Sequence, residues 1–209
     1  MYTPKAFQTS DRAELVAFMR AHSFVTLVSG GPGGLRATHL PVVIDDDGET
    51  ITISGHVARQ NPHVDAFDGQ TPSLVIFTGA HGYVPASVYE SADSVPTWNY
   101  IAVHATGVAR AVSLTDARPA VDTAMHGMVE TYDPGYHAQY AALSEPYREG
   151  MLRGLVVFSL VVTRLEGTAK LSQNKNPHDQ LAVEAHLLAQ EDPAARAAGE
   201  SMRVRRTGA

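Results

Sequence analysis

Phe24-Val25-Thr26-Leu27-Val28-Ser29, Gly30-Gly31-Pro32-Gly33-Gly34, Leu35-Arg36-Ala37-Thr38-His39-Leu40-Pro41-Val42-Val43-Ile44, Asp45-Asp46-Asp47-Gly48 and Thr50-Ile51-Thr52-Ile53-Ser54 lie almost end to end in this chain. They read as strand, break, strand, break, strand. Val, Ile and Thr favour a pleated, half-buried surface, and Thr-Ile-Thr-Ile-Ser alternates with the strand period of two. Neither break is long enough for the crossover that parallel neighbours require. The strands are therefore predicted to run antiparallel through tight turns. The glycine-rich break has no following Lys-Ser/Thr, so it is a hairpin turn and not a phosphate loop. Three adjacent Asp residues lack the spacing of an EF-hand and mark a solvated turn. Gly55 is expected to end the third strand and to let another backbone approach.

Outward from this core, Ser10 is the expected N-cap of a first helix, with Asp11 and Glu14 near its positive end and Leu15, Phe18 and Met19 on its apolar face. Downstream, a short helix is predicted over 62–67, a strand over 73–78, and a long irregular stretch over 79–96. A long strand follows over 98–112, then helices over 116–132, 136–143 and 145–151. The β-branched run 155–165 is a further strand, with a turn or bulge at Gly167. A helix over 178–190 precedes a last Ala-rich helix after Asp192, expected to fray. One helix, about six closely spaced strands and a helical tail favour an antiparallel barrel with peripheral helices over a doubly wound sheet. A single domain over 1–209 is expected, with the helical tail from about residue 176.

The 209 residues are 44% hydrophobic and 18% charged, with net charge -6. That is an ordinary globular composition and disfavours a nucleic-acid backbone as partner. Arg203, Arg205 and Arg206 form the one dense basic cluster, expected in a solvated tail. There is no Cys, which removes disulfides, thiolate metal sites and thiol catalysis. No apolar run reaches the ~20 residues of a membrane span, and Met1-Tyr2-Thr3-Pro4-Lys5 lacks a signal-peptide core. A cytoplasmic location is expected.

Two polar stretches carry the chemistry: Gly55-His56-Val57-Ala58-Arg59-Gln60-Asn61-Pro62-His63 and Lys170-Leu171-Ser172-Gln173-Asn174-Lys175-Asn176-Pro177. Each follows a strand-like run and meets Asn-Pro, a good N-cap followed by a residue suited to the first helical position. Helix starts present unpaired N–H groups to anions, so two of them point to a phosphorylated cofactor. From spacing alone, Arg59 serves equally as a bidentate phosphate grip or a surface ion-pair partner. Lys170, Ser172, Gln173 and Asn174 suit either a ligand or the capping of a polar loop. Trp98, Asn99 and Tyr100 suit a planar heterocycle or a barrel mouth closed by an indole. The ten His residues show no His-Glu-x-x-His or His-x-His spacing, so no metal site is expected. No Gly-x-Ser-x-Gly elbow and no dinucleotide fingerprint is present.

In these motifs the sequence resembles the PaiB family of FMN-binding transcriptional regulators. The matching pieces are Met1-Tyr2-x-Pro4 with Phe7, Thr38-His39-Leu40-Pro41, Gly55 to Arg59 with Asn61-Pro62-His63, Val95 to Tyr100, and Lys170 to Asn174, in the family's order. The resemblance implies a split β-barrel, FMN as cofactor, and a homodimer with two FMN sites at its interface. It also implies that Thr38, His39, Leu40 and Pro41 lie along the isoalloxazine. His56, Ala58, Arg59, Asn61, Pro62 and His63 would hold the ribityl chain and phosphate. Trp98, Asn99, Lys170, Ser172, Gln173 and Asn174 would complete the pocket. One departure is Pro85-Ala86-Ser87-Val88-Tyr89, where the family usually has Pro-Ser-Trp-Tyr. Val88 replaces a bulky aromatic, and a more open pocket is expected if that loop covers the flavin.

Negative transcriptional regulation is the function the resemblance implies. The acidic chain shows no basic recognition helix, which favours repression through a partner over direct DNA binding. A flavin-dependent oxidoreductase is the alternative, since the cofactor supplies most of such chemistry; a flavin sensor or store without turnover is a third. No acid or base stands out, and His56 and Tyr100 are the only candidates.

Overall fold

A computed structural model describes residues 1–31 and 33–208. Pro32 of the predicted turn lies outside the described residues. The strands are β1 (Gln8–Thr9), β2 (Phe24–Ser29), β3 (Arg36–Asp46), β4 (Ile51–Ala58), β5 (Asp68–Val84), β6 (Thr97–Val112) and β7 (Leu155–Lys170). The α-helices are α1 (Arg12–Ala21), α2 (Arg118–Tyr132), α3 (His137–Ala142), α4 (Glu145–Arg153), α5 (Pro177–Leu188) and α6 (Pro193–Thr207). The strand order is β1-β7-β4-β3-β2-β5-β6, and a further β7–β6 pairing closes six strands into an antiparallel barrel with peripheral helices.

The opening triplet behaves as its residues dictate. β2 pairs antiparallel with β3, from Phe24 opposite Pro41 to Ser29 opposite Arg36. β3 pairs with β4, from Val42 opposite Gly55 to Asp46 opposite Ile51. In β4 alternate residues from Ile51 to Val57 are buried, which fixes the register, since a one-residue slip would turn the apolar set outward.

By chain contacts the protein comprises two compact units: Met1–Phe18, Thr78–His104 and Glu166–Ala209 make the first, and Met19–Phe77 with Ala105–Leu165 make the second. In the second unit Leu27, Ile53, Val75, Phe77, Phe158 and Leu160 are fully buried, and the Phe67 and Phe158 rings sit 4.6 Å apart. Each large side chain so buried contributes about 1.5–3 kcal/mol. In the first unit, Val84, Tyr89, Ala169, Leu171, Val183, Leu187, Ala198 and Met202 form a separate core.

Several expectations need correction. Asp11, not Ser10, starts α1: its carbonyl accepts from Leu15 N and its carboxylate from Glu14 N at 2.8 Å. Gly55 does not end β4, which runs on to Ala58. A Cβ there would lie 3.0 Å from the Phe158 ring, so glycine lets that ring cross the strand. Gly167 lies inside β7, opposite Thr9 of β1. β5 extends to Val84, so the irregular stretch begins only at Pro85. α6 packs Ala195, Ala198, Gly199 and Met202 inward rather than fraying. Its arginines are exposed, as expected, but paired: Arg203 with Glu200, Arg205 with Glu14, and Arg206 with Glu184 at 3.0 Å.

Candidate functional site

In the second unit, the Asn61-Pro62 segment follows β4 as a short 3-10 turn, Pro62–Ala66. Asn61 caps it by accepting from His63 N at 2.9 Å. Asn61 Nδ2 also donates to Thr38 Oγ1 at 3.3 Å. Thr38 Oγ1 lies 2.9 Å from His63 Nδ1, and His63 Nε2 lies 2.7 Å from Ser29 Oγ. Ser29 Oγ in turn meets Ser73 Oγ at 2.7 Å. Every link is made with a neutral ring in either tautomer: Nε2–H donates to Ser29 while Thr38 donates to Nδ1, or Nδ1–H donates to Thr38 while Ser29 donates to Nε2. Burial, helped by the charge of Arg36, holds the His63 pKa below its usual value and keeps the ring neutral.

Arg59 stands at the end of this segment. Its Nε donates to Arg153 O at 2.6 Å and its Nη2 to Leu155 O at 2.9 Å. Two carbonyls thereby orient the guanidinium, and they replace the surface carboxylate that spacing alone allowed as a partner. Arg59 lines a cavity of about 440 Å³ with Arg153, Ser113 and Thr115 and with apolar walls that include Val64, Leu114 and Val156. Apolar walls with a few polar groups are the usual make-up of a small-molecule site. His39 and Ala58 are exposed, Leu40 is buried, and Thr38, Pro41, His56 and Asn61 are half-buried. His39 Nδ1 meets Thr26 Oγ1 at 3.0 Å. Burial lowers the His56 pKa.

Trp98, Asn99, Lys170, Ser172, Gln173 and Asn174 belong to the first unit. Asn99 is fully buried and its Nδ2 donates to Ser172 Oγ at 3.0 Å. Ser172 holds a left-handed backbone (φ 60°), uncommon for a residue other than glycine. Gln173 folds back, accepting from Leu171 N at 2.7 Å and donating to Ala169 O at 2.6 Å. Lys170 Nζ donates to Thr97 Oγ1. Asn174 and Trp98 are exposed, and the indole lies 5.7 Å from the Tyr83 ring and 6.2 Å from His81.

The two Asn-Pro starts are not alike. Asn176 caps α5 through Asp179 N at 2.8 Å. The buried Asp179 carboxylate fills the first turn of that helix, accepting from Glu90 N and Asn176 Nδ2, each at 3.0 Å. An external anion would meet a fixed negative charge there. In the irregular stretch Val88 is half-buried and packs on the core around Tyr89 and Leu187.

The sequence pattern also passed over His126, Glu130 and His137, one ligand atom from each of which lies within 4.8 Å of the other two. The available signal was the four-residue spacing of His126 and Glu130, which places them on one helix face.

Among the described residues no helix is long and apolar enough to cross a membrane. The family described as “Putative FMN-binding domain” matches residues 1–164. “Protease synthase and sporulation protein PAI 2” of Bacillus subtilis is 34% identical over 204 residues, covering 97% of this chain and 96% of that protein. Among solved structures, an FAD and heme binding protein from Mycobacterium smegmatis aligns with TM-score 0.58 at 16% identity, over 84% of this chain and 78% of the other. The flavocytochrome Anf3 from Azotobacter vinelandii aligns with TM-score 0.59 at 15% identity, over 78% and 69%. At such identities the likeness is one of fold. The match over most of the chain and the full-length kinship with PAI 2 place this protein in the PaiB family of FMN-binding domains, with FMN as its cofactor.

Proposed function

We propose that this chain is an FMN-binding negative transcriptional regulator of the PaiB type, acting as a homodimer through a partner protein rather than by gripping DNA itself. The observation that carries the partner route is the fate of the basic cluster. Arg203, Arg205 and Arg206 each face a carboxylate, on a chain of net charge -6. Strong backbone binding needs such cations turned to phosphates. The regulatory role draws on the relative named for protease synthase and sporulation.

The residues around Arg59 fit a flavin mononucleotide. A guanidinium pinned by two carbonyls retains charge for a phosphate, Arg153 adds a second cation, and Ser113 and Thr115 add hydroxyls at an apolar-walled cavity. Arg59 is the proposed phosphate grip. Thr38, His39, Pro41, His56, Ala58, Asn61 and Pro62 in the second unit are proposed to contact the rest of the cofactor, with buried Leu40 and His63 shaping their segments; Trp98, Lys170, Gln173 and Asn174 are proposed as flavin contacts offered by the first unit. Buried Asn99 and Ser172 would act by holding their segment in shape. When bound, FMN supplies reversible electron transfer.

Arg59→Ala is expected to weaken FMN binding by roughly tenfold to a hundredfold, the worth of a charge-assisted hydrogen bond. Undiminished affinity would remove Arg59 from the site. A reporter strain should show repression that depends on the chain, while the purified chain alone gives no specific DNA shift at moderate salt. A specific shift would replace the partner route by direct binding, and an unresponsive reporter would sink the regulatory role.

One observation favours an oxidoreductase instead: Trp98 is 53% exposed and flanked by Tyr83 and His81, an aromatic surface on which a planar electron donor stacks. Anaerobic NADH or NADPH would then bleach the flavin absorbance. No bleaching with either donor rejects that role for those donors.

A further inference from the structure

We propose that His126, Glu130 and His137 bind a divalent late first-row metal ion, with zinc as the ion that tests it. His126 and Glu130 stand four residues apart on α2 and share a face. After α2 ends at Tyr132, the 3-10 turn Pro134–Tyr136 brings the chain back, and His137 opens α3. His137 Nε2 reaches Glu130 Oε2 at 2.7 Å, and the His126 and His137 rings have centroids 4.4 Å apart. One ligand atom from each residue falls within 4.8 Å of the others.

Two imidazoles and a carboxylate are a donor set that zinc accepts, leaving one of four positions for water or another ligand. Bonds of about 2.0–2.1 Å in a tetrahedron put ligand atoms roughly 3.3 Å apart, so no pair need close by more than roughly 1.5 Å. The side chains have room to do so: Glu130 is 65% exposed and His137 is 32% exposed. The short Glu130–His137 contact is the place where a metal replaces a shared proton. As an ion pair alone, an exposed His–Glu contact adds little stability, and it leaves the second imidazole beside it without a role. Imidazole and carboxylate together select zinc, nickel or copper(II) over soft monovalent ions, which prefer sulfur.

The open position has somewhere to face. His126 also lines a cavity of about 510 Å³ with Arg118, Tyr140, Glu145, Arg148 and Glu149. Arg118 is held by Asp122 and Glu149, while Arg148 lies over the Tyr140 ring at 5.9 Å. A metal at His126 therefore borders a polar cavity with room for water or a small anion, as an open site requires.

The test uses the tag-free, full-length, FMN-loaded chain after dialysis against a chelator and then metal-free buffer. Titration with zinc, followed by calorimetry and by competition with a chromophoric chelator, should show a single saturable site. His126→Ala, His137→Ala and Glu130→Gln should each weaken zinc binding by at least about tenfold, while His178→Ala, far along the chain in α5, leaves it unchanged. Circular dichroism shows whether each variant is folded; the altered side chains are surface groups, and Glu130→Gln retains shape while losing charge. Absence of saturable binding overturns the proposal. So does parent-like zinc affinity in a folded His126→Ala/His137→Ala double variant.

Discussion

Replacing His63 by Phe tests the buried relay directly. His63 is 1% exposed, and its ring stacks on Phe67 with centroids 5.5 Å apart, so phenylalanine retains the ring and its packing. What disappears is the pair of hydrogen bonds to Thr38 and Ser29 at 2.9 and 2.7 Å. Each contributes about 1 kcal/mol, and whichever of the Thr38 and Ser29 hydroxyls donates to the ring loses its acceptor at a further cost, so the variant should be about 2–4 kcal/mol less stable. For a chain of this size that lowers Tm by roughly 4–16 °C. Urea denaturation followed by circular dichroism measures the difference, and its pH dependence adds a second, independent signature. Burial holds the folded-state pKa of His63 below its ordinary value. As pH falls through about 6.5 the unfolded chain takes up this proton first. Stability from the neutral ring is therefore complete above that pH and is lost as pH falls toward the folded-state value. His22 and His56, also lowered by burial, add slopes of the same sign. Phenylalanine cannot titrate, so the variant's loss of stability on the acid side should be shallower by up to about 1.4 kcal/mol per pH unit. A variant within about 0.5 kcal/mol of the parent, with an unchanged acid slope, would refute both the relay and the neutral ring.

Gly107→Ala would set a Cβ 2.2 Å from Val161 O; β6 and β7 must separate there, and thermal melts should show a loss of at least about 1–3 kcal/mol. Arg206→Ala leaves the largely buried Glu184 carboxylate without its two guanidinium contacts at 3.0 and 3.1 Å. Because Arg206 itself is 41% exposed, denaturant titration should show a loss of stability smaller than that of a fully buried pair. Gly55→Val should also be destabilising by the same melts, since its Cβ would lie 3.0 Å from Phe158 and 3.2 Å from Leu40 with two methyl groups beyond it; a neutral result would show that the Phe158 ring can move aside.

Short-range chemistry was legible in the sequence. The alternation of Thr50 to Ser54 and the β-branched runs announced β2, β3, β4 and β7, because a strand's period of two is written in neighbouring residues. Asn61 and Asn176 were legible as caps for the same reason, since a cap bonds two or three residues along. Boundaries were lost where glycine has two meanings. Gly55 and Gly167 resemble strand ends, yet both admit a distant side chain into an intact strand: Phe158 beside Gly55, Leu15 beside Gly167. The segment 79–84 looks like loop for its Gly and Tyr, yet it continues β5.

By itself, the sequence determined an antiparallel barrel with peripheral helices, the absence of thiol chemistry and, through five ordered motifs, a flavin protein of the PaiB type. Tertiary structure alone decided which polar groups have partners. Arg59 meets carbonyls 94 and 96 residues away, Asp179 closes the start of α5 against an external anion while receiving Glu90 N from 89 residues away, and His63 joins Ser29 across 34. The C-terminal arginines likewise found carboxylates as near as Glu200 and as far as Glu14. Local propensity acts over a few bonds of chain, whereas a hydrogen bond or ion pair between remote residues exists only once the backbone has folded and brought the two groups within reach.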